Sequence, residues 1–221
     1  MADSNSAISN FDNLSISDQL RAAPVTAAFL LASIIGALVV RFLPSHIHWF
    51  TIQNYDLISN SVALGSLSGT LDDREYWRLI TPTFLHFGLF HLTFNALLIW
   101  VLGKNIEYML GSFKIFFCII VIAMFSNIGQ YFLGGASIFG GLSGVVYGLL
   151  GFIWVSSNIA PSSILSLPQG LIGFMLIWLF LGISGIIEFT IGLNVANAAH
   201  IVGLISGMIF GIFDGLFRLN S

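Results

Sequence analysis

Six stretches of mostly apolar residues, at about 24–43, 84–103, 113–133, 143–157, 170–188 and 196–217, run through this chain with very few charges inside them. Nothing else in the sequence constrains the fold as tightly. An ordinary soluble domain is about 25% charged; this chain of 221 residues is 8% charged and 57% hydrophobic, with a mean hydropathy of +0.95. A water-soluble globule of this length cannot hide so much apolar area, because surface grows too fast relative to volume. Its outside must face lipid. Crossing the hydrocarbon takes about 20 apolar residues as a helix whose backbone groups bond internally. The six spans therefore predict an all-α polytopic membrane protein, a bundle of six transmembrane helices. All five prolines (Pro24, Pro44, Pro82, Pro161 and Pro168) fall at or near span ends, where a missing N–H costs least. The fourth span is short: its fifteen residues rise only about 22 Å. It crosses only if it starts below the membrane surface, with its first residue in a cavity.

Charge and cysteine usage exclude other classes. A net charge of -3 removes any case for nucleic-acid binding through phosphate neutralisation. The single cysteine, Cys118, makes neither an internal disulfide nor a cysteine-based metal site. Residues 1–21, with Asp3, Asp12 and Asp18, read as a polar N-terminal tail without the basic start or cleavage site of a signal peptide. Residues 22–221 then form one membrane domain. Its only long connection, about 44–83, carries Trp49, Phe50, Tyr76 and Trp77 among its charges and reads as a loop in the outer interface. With the N-terminus inside, Arg21, Lys104, Lys114 and Arg218 are cytoplasmic, and Arg41, Arg74 and Arg78 lie outside. The positive-inside rule favours this orientation by a slim margin, and six spans then leave both termini cytoplasmic.

Polar residues inside a span are expensive and are functional candidates by default. Few exist: His86, His91 and Asn95 in the second span, Ser143 and Tyr147 in the fourth, and His200 in the sixth, with Glu188 and Asp214 near enough to span ends to reach water. Ser143 sits between Gly141 and Gly144, so little side chain blocks another chain from approaching it. A helix starting there presents free N–H groups and a positive dipole end beside the hydroxyl. Tyr147, four residues on, shares its face. A lone serine of this kind is more often a small packing residue. Gly203, Gly207 and Gly211 recur every fourth residue after His200 and match Gly144 and Gly148. Pressing those faces together brings Ser143 within reach of His200, as a nucleophile and its base require. His91 and Asn95, at i and i+4, share one face and supply N–H donors for an oxyanion, although polar glue between helices competes with that role. His86, near the span end, is the weaker candidate and can simply fix the long loop.

Other intramembrane chemistries lack their residues. Phe87 follows His86 and the next histidine is five along, so no H-E-x-x-H zinc motif is present. Asp214 is the sole aspartate in any span, whereas an aspartyl protease needs two. Val145 stands where a G-x-S-x-G elbow needs glycine. Neither a metal nor a cofactor is expected. Two further readings are a catalytically dead relative that binds membrane clients, against which an intact Ser143 and His200 argue, and a small transporter with a histidine proton relay. Paired repeats would support the transporter, and none is visible.

Four blocks in order resemble the rhomboid intramembrane serine proteases, in their compact six-helix bacterial form: Tyr76-Trp77-Arg78, His86-x4-His91-x3-Asn95, Gly141-Leu142-Ser143-Gly144 with Tyr147, and Ala199-His200 before spaced glycines. The resemblance covers roughly residues 24–217; the soluble N-terminal domain of some relatives is not expected. It implies a Ser143–His200 dyad without a carboxylate partner, with Tyr147 packed on the His200 ring. It further implies an oxyanion hole from His91, Asn95 and the Ser143 backbone N–H, and a structural role for Trp77 and Arg78. Phe94 and Trp178 would be gate residues between the second and fifth helices. The implied substrates are single-span transmembrane proteins, met within the bilayer and cut near the outer face of a bacterial inner membrane.

Overall fold

The computed structural model describes residues 15–58, 61–162, 164–192 and 194–220. Residues 1–14 of the expected polar tail lie outside the described residues. Among the described residues the helices are α1 (Ile16–Ala22), α2 (Pro24–Phe42), α3 (Leu67–Asp72), α4 (Leu89–Leu110), α5 (Ser112–Gly134), α6 (Ser143–Ile159), α7 (Leu171–Ile183), α8 (Ile186–Ile191) and α9 (Asn197–Leu219). Helices α2, α4, α5 and α9 are long and apolar enough to cross a membrane, and α6 and α7 are shorter apolar helices of 17 and 13 residues. Each of the six predicted spans overlaps one of these helices. The protein is a polytopic helical membrane bundle.

Local chemistry sets the boundaries. The end of the polar segment is helical because Ser15 caps α1, its hydroxyl accepting from the Asp18 N–H at 3.2 Å. Pro24 then restarts the chain as the first residue of α2. Its free N–H groups are taken by Glu107 of α4, whose carboxylate accepts from Val25 N–H at 2.9 Å, Thr26 N–H at 2.8 Å and the Thr26 hydroxyl at 2.7 Å. A buried anion at a helix N-terminus is compatible with this setting because the charge meets N–H donors and the positive end of the dipole. The second span differs from its predicted bounds. The apolar run from Phe84 to Phe87 is not helical; α4 starts only at Leu89, after an extended Gly88, because Pro82 has wound Thr81–Phe84 into a 3-10 turn.

The long connection is more structured than a plain interfacial loop. It contains 3-10 turns at Pro44–Trp49 and Tyr76–Leu79, helix α3, and an antiparallel hairpin of β1 (Tyr55–Ile58) with β2 (Ser61–Leu64), in which Leu57 pairs with Val62. Arg78 pins it. Only 1% exposed, its guanidinium pairs with Glu75 at 2.6 Å, donates to the carbonyls of His48 and Thr51, and stacks over the Trp49 ring. Trp77 Nε1 donates to the Trp49 carbonyl at 3.1 Å.

Helix α6 is the axis of the bundle, with eleven of its 17 residues buried. Against it lies α9, in contact along its whole length. A Cβ on Gly203 would overlap the Gly144 carbonyl, one on Gly207 the Gly148 carbonyl, and one on Gly211 would lie 2.6 Å from the Phe152 carbonyl. Gly215 extends the stripe to Ile159. Such small-residue seams let helix backbones meet in membranes, where dispersion rather than water drives association. At the far end of this seam Asp214 is paired within the bundle. Its carboxylate accepts from the Ser156 hydroxyl at 2.5 Å and from Arg218 at 2.8 Å, and Arg218 also donates to the carbonyls of Ser156 and Ala160. Arg218 thereby ties the C-terminal end of α6 to the last turns of α9.

Candidate active site

Ser143 is the first residue of α6, preceded by Gly141 at φ +121°. Gly141 is a required glycine for two reasons: that φ is poorly accessible to other residues, and a Cβ there would sit 2.5 Å from His91 Cε1 and 2.6 Å from His91 Nε2. The strand of loop before the serine is held by the Gly141 N–H, which donates to the Pro82 carbonyl at 3.0 Å. This geometry puts the Ser143 hydroxyl and the free N–H groups of the first turn of α6 on the same spot.

His200 lies in the first turn of α9, 4% exposed, and its Nε2 is hydrogen-bonded to the Ser143 hydroxyl at 2.7 Å. The glycine seam brings the two helix starts together: Gly144 meets the Ala199 carbonyl, and Gly203 meets the Gly144 carbonyl. The other ring nitrogen, Nδ1, is buried with no hydrogen-bond partner. Among the described residues no carboxylate orients this histidine. Its plane is set by Tyr147, whose ring stacks on it at 4.7 Å between centroids and 30° between planes. Tyr147 is held in turn by its hydroxyl, which donates to the Met175 carbonyl of α7 at 2.8 Å. The start of α9 is also tied to α5, since the Ala199 N–H donates to Gln130 Oε1 at 3.1 Å.

Opposite the hydroxyl stand the residues of α4. His91 faces Gly141, and the amide nitrogen of Asn95 lies 3.6 Å from the same Cβ position. Their N–H groups converge on the backbone next to Ser143. His86 is more central than its place near the span end suggested. It is 2% exposed and its ring centroid lies 5.0 Å from that of His91. Its Nε2 lies 3.4 Å from the Leu142 N–H, which can only donate, so Nε2 is the acceptor and Nδ1 carries the proton. Nδ1–H then donates to the Phe84 carbonyl at 3.0 Å, and the Asn95 amide donates to Nε2 at 3.3 Å. His86 thus fixes Asn95, the loop before α4 and the residue before Ser143 at once. One amide hydrogen of Asn95 remains for another acceptor.

A small cavity opens beside the nucleophile, lined by Ser143, Ser126, Asn127, Thr83, Gly140 and Ala199 among others. Ser126 Oγ is buried there without a partner, so the wall offers a hydrogen-bonding site for water. Ser126, Asn127, Gln130 and Glu107 were not singled out from the sequence. The available signal was a run of uncharged polar residues, Ser126, Asn127 and Gln130, in an otherwise apolar span.

On the side facing α7, Phe94 packs on Phe174 with centroids 5.9 Å apart and planes at 54°. Trp178 lies one turn further along α7 and is half-exposed. Among the described residues no group of three or more His, Cys, Asp or Glu is arranged to hold a metal.

A hydrogen-bonded Ser–His pair thus stands at the head of two glycine-packed helices. The Rhomboid domain model matches residues 73–217. This chain belongs to the rhomboid family. The matched region contains every residue of the site described above. Rhomboid protease GlpG of Serratia proteamaculans (strain 568) is 43% identical over 158 residues, covering 70% of this chain and 55% of that protein. Rhomboid protease GlpG of Yersinia pestis (strain Pestoides F) is 44% identical over 140 residues, covering 63% of this chain and 49% of that protein. The chain spans about half the length of the curated relatives it matches.

Proposed function

We propose that this rhomboid is an intramembrane serine endopeptidase that cleaves transmembrane segments of other membrane proteins by a Ser143–His200 dyad. The observation that carries this reading is the 2.7 Å hydrogen bond from the Ser143 hydroxyl to His200 Nε2 inside a membrane bundle. A hydroxyl is a weak nucleophile until an adjacent base accepts its proton. His200 is that base, and its membrane-embedded partner needs no third residue because Tyr147 sets the ring plane.

The chemistry follows the geometry. Ser143 Oγ attacks the scissile carbonyl carbon while His200 Nε2 takes the hydroxyl proton. The resulting oxyanion accepts from the Ser143 N–H, His91 and Asn95, which are fixed before reaction, so little reorganisation is needed as charge develops. Collapse breaks the C–N bond, and His200 returns its proton to the leaving amine. Water held near Ser126 then attacks the acyl-Ser143 ester, again losing a proton to His200, and the acid product leaves with the hydroxyl restored. Peptide hydrolysis inside a bilayer requires just such a wet pocket, because lipid supplies neither water nor hydrogen-bond donors. The substrate is a single-span helix that unwinds locally, since a regular helix hides its carbonyls. Phe94, Phe174 and Trp178 line the side by which it enters. Within this reading residues 1–21 are a tail, 22–221 the protease domain, both termini are cytoplasmic, the membrane is a bacterial inner membrane, and the cut falls near the outer face.

The test is cleavage of a fluorogenic transmembrane peptide by the detergent-purified full chain. Wild-type protein cleaves it with or without chelator, and Ser143→Ala lowers turnover by at least ~10³-fold. Full activity in Ser143→Ala would overturn the proposal.

A further inference from the structure

The end of the bundle away from Ser143 carries a second concavity, unrelated to the dyad. It is a groove of about 300 Å³ between the first turns of α5 and the last turns of α9, lined by Leu110, Phe113, Lys114, Phe117, Cys118, Phe152, Phe210, Phe213, Asp214 and Phe217. Six of these ten are phenylalanines. Phe152 closes the floor at 2% exposed, while Phe113, Phe117, Phe213 and Phe217 stand in the walls at 56–84% exposed. The aromatic walls stand exposed on the outside of the bundle, and the cleft between them has room for a segment of an acyl chain.

Charge decides what kind of chain. Asp214 lines the groove but is neutralised by Arg218 and Ser156. Lys114 is different: it is exposed, its Nζ lies 6.0 Å over the Phe217 ring, and it makes no ion pair among the described residues. The groove therefore presents an apolar slot with one unneutralised cation at its mouth, in the first turn of a membrane-spanning helix. Basic residues at this depth attract anionic headgroups, and the stem of a lysine reaches from apolar surroundings to the headgroup layer.

We propose that this groove is a binding site for an anionic phospholipid, with an acyl chain between the phenylalanines of α5 and α9 and the headgroup phosphate on Lys114. The site joins the start of α5 to the end of α9, the two helices that flank the nucleophile's helix. A lipid seated there braces the seam at the end remote from Ser143.

Photo-crosslinking tests it on the full chain in nanodiscs of phosphatidylcholine, doped with a trace of phospholipid bearing a diazirine on its acyl chain. The expected result is several-fold more adduct on peptides carrying Phe117, Phe210 and Phe213 from the phosphatidylglycerol probe than from the phosphatidylcholine probe. Lys114→Gln, an exposed position that leaves the fold intact, brings the two probes level, and Lys114→Arg keeps the difference. Equal labelling by both probes in the wild type would overturn the proposal, as would a preference that persists in Lys114→Gln. The readout does not depend on proteolysis, so the assignment stands or falls separately from the reading of the dyad.

Discussion

Two of the helices that meet α6, α9 and α7, contact it in opposite ways. Against α9 it forms a seam in which glycines meet carbonyls from Gly144 to Gly211. Against α7 it makes few contacts; only Met175, Leu179 and Gly182 of α7 are buried, and Phe174, Ile177 and Phe180 are exposed. The first contact fixes backbone against backbone, where nothing has rotamers with which to yield. The second is made by side chains and by one hydrogen bond from Tyr147. The proposed proteolysis would need both properties, since a 2.7 Å proton-transfer distance tolerates little drift while a helical substrate needs room to enter. On that proposal the bundle separates them, with Ser143 and His200 on the rigid seam and access through the looser side.

The strongest way to break that contrast is to wedge the seam. Gly207→Ala forces a methyl onto the Gly148 carbonyl, and the clash is with backbone of the helix that carries Ser143. Helices must separate to relieve it. The expected loss is about 3 kcal/mol or more, at the top of the range for overpacking, together with loss of turnover. Thermal unfolding in detergent reads the first and peptide cleavage the second. An unchanged midpoint would mean the seam is not rigid.

A smaller effect is expected at the bridge between the two sides. Tyr147→Phe keeps the ring on His200 and removes only the hydroxyl that donates to the Met175 carbonyl. Stability should fall by about 1 kcal/mol, the usual value of one such bond, and turnover should drop several-fold yet remain measurable. An inert protein would place the hydroxyl itself in the chemistry. Next comes Phe174→Ala, which removes the ring packed on Phe94. It should cost about 1 kcal/mol and raise turnover of a transmembrane substrate two- to five-fold, with no change for a short soluble peptide ester. A drop in transmembrane cleavage would show that α7 positions substrate rather than restrains it.

The seam was readable from the sequence because a four-residue glycine period on two apolar spans has one geometric meaning. The pairing of Ser143 with His200 follows from it. Other parts were hidden for a physical reason: apolar composition does not distinguish a helix from a loop packed under lipid. So Phe84–Phe87 read as span, although Pro82 and the hydrogen bonds of His86 hold it as a turn before Leu89. Partnering is equally invisible. Glu107 and Asp214 are charges at span ends whose meaning depends on N–H groups and hydroxyls more than fifty residues away. The hairpin at Tyr55–Leu64 escaped because its strands are four residues each and exposed almost throughout, leaving no alternation of buried and solvent-facing positions to read.

The mildest substitution sharpens the contrast most, because it is chemically the same as the first. Gly173→Ala adds the identical methyl to α7, where a Cβ would meet nothing within 4 Å. Alanine has the higher helix propensity by up to about 1 kcal/mol, and it restricts the unfolded chain more than glycine does. The unfolding midpoint should therefore stay level or rise slightly, with turnover within two-fold of wild type. One methyl would then strongly destabilise the protein in the seam and be silent on the open face of α7. If Gly173→Ala also lost activity, that exposed face of α7 would itself be required for turnover.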